Sequence, residues 1–252
     1  AEELAREGVG TLFTKVGFDV ESDEEAVKAI RIGAEEAGVD TLIRIDANQS
    51  WTPGAAVRNI KRLEKYGLEY VEQPVSMYNL EAMATVRKAV ETPILAHESC
   101  WTFYDTLNVV KRDAADAIQI DPRFDVGFMG SRIAAGIAEA AGMPVAIHAW
   151  DELGVFMCAK IHLAASGPNF TLPNQTGYRN RADDVLKELL SFEEGSIRVP
   201  EGPGLGLELD HEKVRKYHEH YLAYVKGRES SQELSPFKAG AEYFINIPGA
   251  QP

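Results

Sequence analysis

Cysteine is scarce in this chain. Only Cys100 and Cys158 occur among 252 residues, too few for a disulfide framework, so an apolar core must hold the fold and a reduced cytoplasm is the expected compartment. Basic residues are also in the minority: 26 Lys and Arg stand against 39 Asp and Glu, a net charge of −13. That balance removes the electrostatic footprint for nucleic acid and disfavours adsorption to anionic membranes. An acidic substrate remains compatible wherever a metal ion reverses the local sign. No apolar run approaches the roughly 20 residues of a membrane helix, and Ala1 to Gly8 is charged and helical in pattern, unlike a signal peptide.

What is present is a hydrophobic content of 45%, enough for a full core. Short β-branched runs alternate with longer amphipathic ones at 11–16, 40–46, 69–74, 92–98, 117–121, 144–149 and 169–173. Between them lie helical stretches: Ser22-Asp23-Glu24-Glu25 reads as an N-cap with an acidic first turn, Gly38 as a stop, and Thr52-Pro53 as a cap followed by proline at the first helical position. Strand starts recur every 23 to 29 residues, the length of one strand, one helix and two short loops in a (β/α) barrel. An open doubly wound sheet would show a glycine-rich turn after its first strand, and Lys15-Val16-Gly17-Phe18-Asp19 is not one. The expected organisation is a barrel over 1–203, followed at 204–252 by a tail outside it with a helix-like run from Asp210 to Lys226 and a strand-like run from Glu242 to Pro248.

Three acids punctuate this pattern. Asp46, Glu72 and Glu98 each end a strand-like run, and each is 26 residues from the next. Acids that end apolar strands are costly to bury without a compensating cation or hydrogen bonds. Brought together on neighbouring parallel strands at a barrel's C-terminal face, they suit a hard divalent cation.

The words around these acids, Asp46-Ala47-Asn48-Gln49-Ser50-Trp51, Val71-Glu72-Gln73-Pro74 and Ala96-His97-Glu98-Ser99, resemble the metal-binding strand ends of the enolase superfamily. The resemblance implies a TIM-like (β/α)7β barrel and a Mg²⁺ ion, replaceable by Mn²⁺, on Asp46, Glu72 and Glu98. It also implies an enzyme that removes the proton α to a substrate carboxylate through an enediolate. Lys15 in Phe13-Thr14-Lys15 resembles the second lysine of the family's Lys-x-Lys motif, an acid/base whose pKa burial and the metal would lower. Asp121 in Gln119-Ile120-Asp121-Pro122 and His148 in Ala146-Ile147-His148-Ala149 resemble the Asp/His dyad of the mandelate racemase-like subgroup, in which the carboxylate favours the protonated imidazole. Gly127 and Gly130 fit the turn after that Asp. Asn48, Asn174 and Gln175 are the expected substrate-binding groups. His97, turned away from Glu98 by strand alternation, is expected to be structural, and Cys100 has no activating partner in sequence.

Two positions depart from the pattern. Phe13 stands where the first lysine is usual, and 169–173 lacks the glutamate that mandelate racemase uses to donate to its substrate. The family's capping domain and first barrel strand have no counterpart in this sequence. The expected activity is dehydration of an acid sugar or related hydroxy acid, with racemisation or epimerisation as the alternative and a catalytically silent metal-binding barrel or assembly subunit as the alternative of another class. The expected partners are a small-molecule carboxylate and further copies of the chain in a homo-oligomer.

Overall fold

The computed structural model describes residues 1–125, 127–150 and 152–226. They fall into two compact units: 1–148, 166–174 and 192–196 form the first, and 149–165, 175–191 and 197–226 form the second.

The first unit begins with α1 (Glu2–Arg6) and then alternates β1 (Thr11–Lys15), α2 (Val20–Ala37), β2 (Leu42–Asp46), α3 (Pro53–Leu63), β3 (Leu68–Glu72), α4 (Leu80–Ala89), β4 (Ile94–Ala96), α5 (Phe103–Lys111), β5 (Ala117–Ile120), α6 (Gly127–Ala140) and β6 (Val145–Ile147). The six strands form one parallel sheet in the order β1-β2-β3-β4-β5-β6. Strands that follow their sequence order with a helix in every crossover are the arrangement of a (β/α) barrel; a doubly wound sheet reverses its order at a switch point.

Local sequence explains the helix starts. Asp19, one turn before the Ser22 expected from sequence, caps α2 by accepting from the Ser22 amide at 3.0 Å, and Gly38 ends the helix at φ 70°. Thr52 caps α3 ahead of Pro53 as expected. At α5, Thr102 and Asp105 form a reciprocal capping box.

The seventh expected strand, 169–173, does not form as a strand of the sheet. It offers one ladder bond, from Val145 N–H to the Asn169 carbonyl at 2.8 Å, and Pro168 and Pro173 at its ends lack the N–H groups that would continue pairing. Arg44 ties this segment to β2 instead, donating to the Pro173 carbonyl at 3.0 Å.

Alternation along the strands divides the core in two. Ile43, Ile45, Val71, Ile94, Ile118, Ile120 and Ile147 are fully buried, each such side chain being worth about 1.5–3 kcal/mol relative to exposure. On the opposite face Tyr70, Leu95, Ala117 and Ala146 form a buried floor, with Leu172 packed against it.

The second unit holds α7 (Gly154–Ala164) and α8 (His211–Val225). Asp184, fully buried, organises it by accepting from Gly154 N–H at 2.8 Å and from the Tyr178 hydroxyl at 2.5 Å. Asp183 holds α8 through Lys213 and Tyr217, both at 2.7 Å. The helix expected from Asp210 to Lys226 is α8, capped by Asp210. The strand-like run from Glu242 to Pro248 lies outside the described residues. No helix among the described residues is long and apolar enough to cross a membrane.

Candidate active site

Register builds the site. Phe13, Arg44 and Tyr70 stand side by side on β1, β2 and β3, and two residues further along so do Lys15, Asp46 and Glu72. Leu95, Ala117 and Ala146 continue the floor, and two residues after each come His97, Gln119 and His148. With a side-chain period of two, each strand lifts one polar group above an apolar floor at its C-terminal end.

The acids of this row are buried and held by neighbours. The Lys15 ammonium pairs with the Asp46 carboxylate, whose other oxygen accepts from the Asn48 amide at 2.7 Å. Glu72 Oε1 accepts from Gln119 at 2.9 Å and lies 2.9 Å from His97 Nδ1. Glu98, in a single 3-10 turn past β4, accepts from Asn48 at 2.8 Å and Gln49 at 3.1 Å. Asn48 and Gln49 reach it from left-handed backbone, φ 46° and 67°, a conformation asparagine tolerates better than most residues. Glu72 Oε2 and Glu98 Oε2 are buried with no hydrogen-bond partner. Oxygen donors left orphaned at strand ends fit a hard divalent cation.

Crowding separates the charge states. Burial and the negative charge of Glu72 push the Asp46 carboxyl up to about 7, against the pull of Lys15. Burial would raise Glu72 as well, but His97, Arg44 and Lys15 outweigh it and hold Glu72 at about 2. At Lys15 burial works to lower the pKa, while Asp46, Glu72 and Glu98, with no cation among them, raise it above the usual lysine value.

At the far end of the sheet, His148 Nδ1 lies 2.9 Å from Asp121 Oδ2. Sequence reasoning missed Arg123, which forks onto both Asp121 oxygens, Nη2 at 2.5 Å from Oδ2, and approaches His148 Nδ1 at 3.0 Å. Burial holds the His148 imidazole down to about 4 and His97 adds to that, while the Asp121 bond, as expected of the dyad, works to raise it.

His97 is not turned away from Glu98 as expected. It is 6% exposed, sits 4.3 Å from the His148 ring, and stands 3.6 Å from Glu98 Oε2. Alternation counted from Leu95 puts His97 in the polar row, and Glu98 reaches the site only because the chain turns after Ala96. Among the described residues, His97, Asp121 and His148 form a group whose ligand atoms all lie within 4.8 Å of one another. Asn174 Oδ1 accepts from the Ile147 amide at 2.8 Å, so it serves the end of β6, while Gln175 belongs to the second unit and is half-buried. Cys100 is buried, its thiol well above the usual range because of that burial, and it is no nucleophile.

The hydrophobic dipeptide epimerase of Enterococcus faecalis is 40% identical over 172 residues, 68% of this chain and 48% of that enzyme. Arabinonate dehydratase of Saccharolobus solfataricus is 28% identical over 76% of this chain and 51% of its own length. A crystal structure of an enolase from Bradyrhizobium complexed with magnesium and mandelic acid superimposes with a TM-score of 0.69 at 31% identity, covering 82% of this chain and 54% of that one. The chain thus spans about half the length of these relatives. The family model described as enolase C-terminal domain-like matches residues 1–214. The polar row at the strand ends, the sequential parallel sheet and this match together place the chain in the enolase C-terminal domain-like family, within the enolase superfamily.

Proposed function

We propose that this chain carries out proton transfer at the carbon α to a substrate carboxylate, with Mg²⁺, replaceable by Mn²⁺, held by Asp46, Glu72 and Glu98. The observation that carries the reading is geometric: buried acid oxygens left without hydrogen-bond partners, Glu72 Oε2 and Glu98 Oε2, stand at the strand ends of one sheet that carries Lys15 on its first strand and His148 just after its last. The cation, when bound, supplies the positive charge that a carboxylate gaining a second negative charge requires. The Bradyrhizobium neighbour, crystallised with magnesium and a hydroxy acid, supports that choice of ligand.

His148 is the proton acceptor. Being neutral at physiological pH, it has a lone pair to offer, and Asp121 fixes the ring and stabilises the imidazolium once formed. Lys15, on the first strand of the sheet while His148 follows the last, is the donor. Removal by one group and return by the other is epimerisation or racemisation, the type of reaction named for the Enterococcus relative.

Dehydration is a second reading. The proton that His148 gains can pass to a departing β-hydroxyl, and arabinonate dehydratase among the relatives supports it. Incubation with a panel of hydroxy acids, acid sugars and dipeptides in deuterated water separates the two. Deuterium incorporation with inversion marks epimerisation, and a 2-keto product marks dehydration. Mg²⁺ binding without α-proton exchange on any member of the panel would overturn both in favour of a silent metal-binding barrel.

A further inference from the structure

The three acids of the proposed cation site are placed by different means. Asp46 and Glu72 are the last residues of β2 and β3, and sheet register sets them beside each other and beside Lys15. Glu98 lacks that hold: β4 ends at Ala96, and Glu98 opens a 3-10 turn of three residues closed by one backbone bond, from Cys100 N–H to the His97 carbonyl at 2.8 Å. So short a turn is not stable by itself. We infer that Gln73, the residue after Glu72, is the positioning residue that presents Glu98 to the divalent cation. The inference rests on the metal-site reading.

Three observations carry it. Gln73 is fully buried, and its Oε1 accepts from the backbone N–H groups on either side of Glu98, His97 at 3.0 Å and Ser99 at 3.2 Å. Its Nε2 donates to the Ser99 hydroxyl at 2.9 Å and to the Val75 carbonyl at 3.0 Å. The turn is thus capped from the end of β3, while His97 at its own start supplies no side-chain cap. Next, the backbone of Gln73 reaches the same acid from the other side. Its N–H donates to the Leu95 carbonyl at 2.9 Å, and its carbonyl accepts at 2.8 Å from the N–H of Gln49, whose side chain donates to Glu98 Oε1. Asn48 donates to that oxygen too, so Oε2, 3.6 Å from His97 Nδ1, is the one left without a hydrogen-bond partner. Finally, Gln73 stands at φ 37°, a strained backbone for a residue with a Cβ, which persists only where the surroundings over-determine it.

Both donor and both acceptor positions of the Gln73 amide are used within the protein, so it has nothing to offer a cation or a substrate and acts only through Glu98. A glutamine that merely tied β3 to β4 would matter for stability alone. The two roles part in metal binding, because a positioning role is felt only while residue 98 is a carboxylate ligand.

Calorimetric titration of the full chain with Mn²⁺ decides between them, using the wild type, Gln73→Met, Glu98→Gln and the double variant. Methionine keeps the length of the side chain and loses its amide. Mn²⁺ affinity should fall about tenfold to a hundredfold in Gln73→Met, and the same substitution should cost no further affinity once residue 98 is no longer a carboxylate. Equal losses in both backgrounds overturn the inference. So does a Gln73→Met protein that melts lower without metal yet binds Mn²⁺ as the wild type does. If Gln73→Met does not fold, Ser99→Ala takes its place: it removes the hydroxyl partner of Nε2, and the expected loss is about threefold, again absent beside Glu98→Gln. Wild-type affinity in Ser99→Ala then overturns the inference. Mn²⁺ that does not bind the wild type, or that binds Asp46→Asn and Glu72→Gln equally well, overturns the metal-site reading itself and this inference with it.

Discussion

Lys15 and Asp46 are register partners on adjacent strands and form an ion pair in which a 41% exposed lysine side chain neutralises an acid only 2% exposed. The pair joins the residue proposed to donate a proton to the residue proposed to hold the metal. In metal-free protein the ammonium is the nearest positive charge to Asp46, and a divalent cation must share the acid with it.

Removing Lys15 tests this pairing. Lys15→Met leaves a buried carboxylate without its adjacent cation, so metal-free variant should melt below wild type at pH 8, where Asp46 is ionised. The gap should close at pH 5, where Asp46 is protonated, and saturating Mg²⁺ should narrow it at pH 8. Equal melting temperatures at both pH values would show that the pair contributes nothing.

Metal affinity should depend on pH through the same acid. The folded value of Asp46, about 7, lies above its ordinary 3.8, so the metal-free fold favours the protonated acid and loses that advantage as pH rises from about 4 through 7. The cation needs the carboxylate. Calorimetric titration with Mg²⁺ should therefore show affinity falling about tenfold per pH unit below about 7, with proton release on binding. A flat profile from pH 5 to 8 would contradict it.

Arg123 competes with His148 for Asp121. Replacing it by leucine returns the full charge of Asp121 to the imidazole and removes a cation 3.0 Å from Nδ1, so the His148 pKa should rise from about 4. Histidine NMR titration reads the shift directly. Asp121→Asn acts in the opposite direction, and with the ring no longer fixed, α-proton exchange should drop on the order of 10²-fold or more.

Two glycines of α6 should respond in opposite ways. A Cβ at Gly130 would sit 1.6 Å from the Asp125 carbonyl oxygen, so Gly130→Ala should cost about 1–3 kcal/mol in chemical denaturation. At Gly136, exposed in the same helix with nothing within 4 Å, alanine should stabilise by about 0.5–1 kcal/mol. The same sign at both positions would refute this account of how α6 meets the turn after β5.

Several features were legible in the residues alone. The alternation of strands and helices, the acids at 46 and 72 as last residues of β2 and β3, and Asp121 and His148 just past β5 and β6 all follow from local periodicity. Period two within a strand and 3.6 within a helix are backbone properties that the chain carries wherever it goes. The approach of Asp121 to His148 agrees with the dyad words of the sequence. The run at 169–173 misled because its apolar residues look like a strand, while the prolines at its ends withhold the N–H groups that pairing needs.

What the sequence by itself determined is which residues end which strands, hence which side chains can meet at one edge of the sheet. Tertiary structure alone decided which of them do meet and in what charge state. Burial, a property of the packed fold, lowers the His148 pKa; three acids converging on Lys15 raise its own; and Asn48 and Gln49 reach across to Glu98. Each effect comes from atoms 31 or more residues apart in the chain or from the exclusion of water, and neither is written in a local pattern.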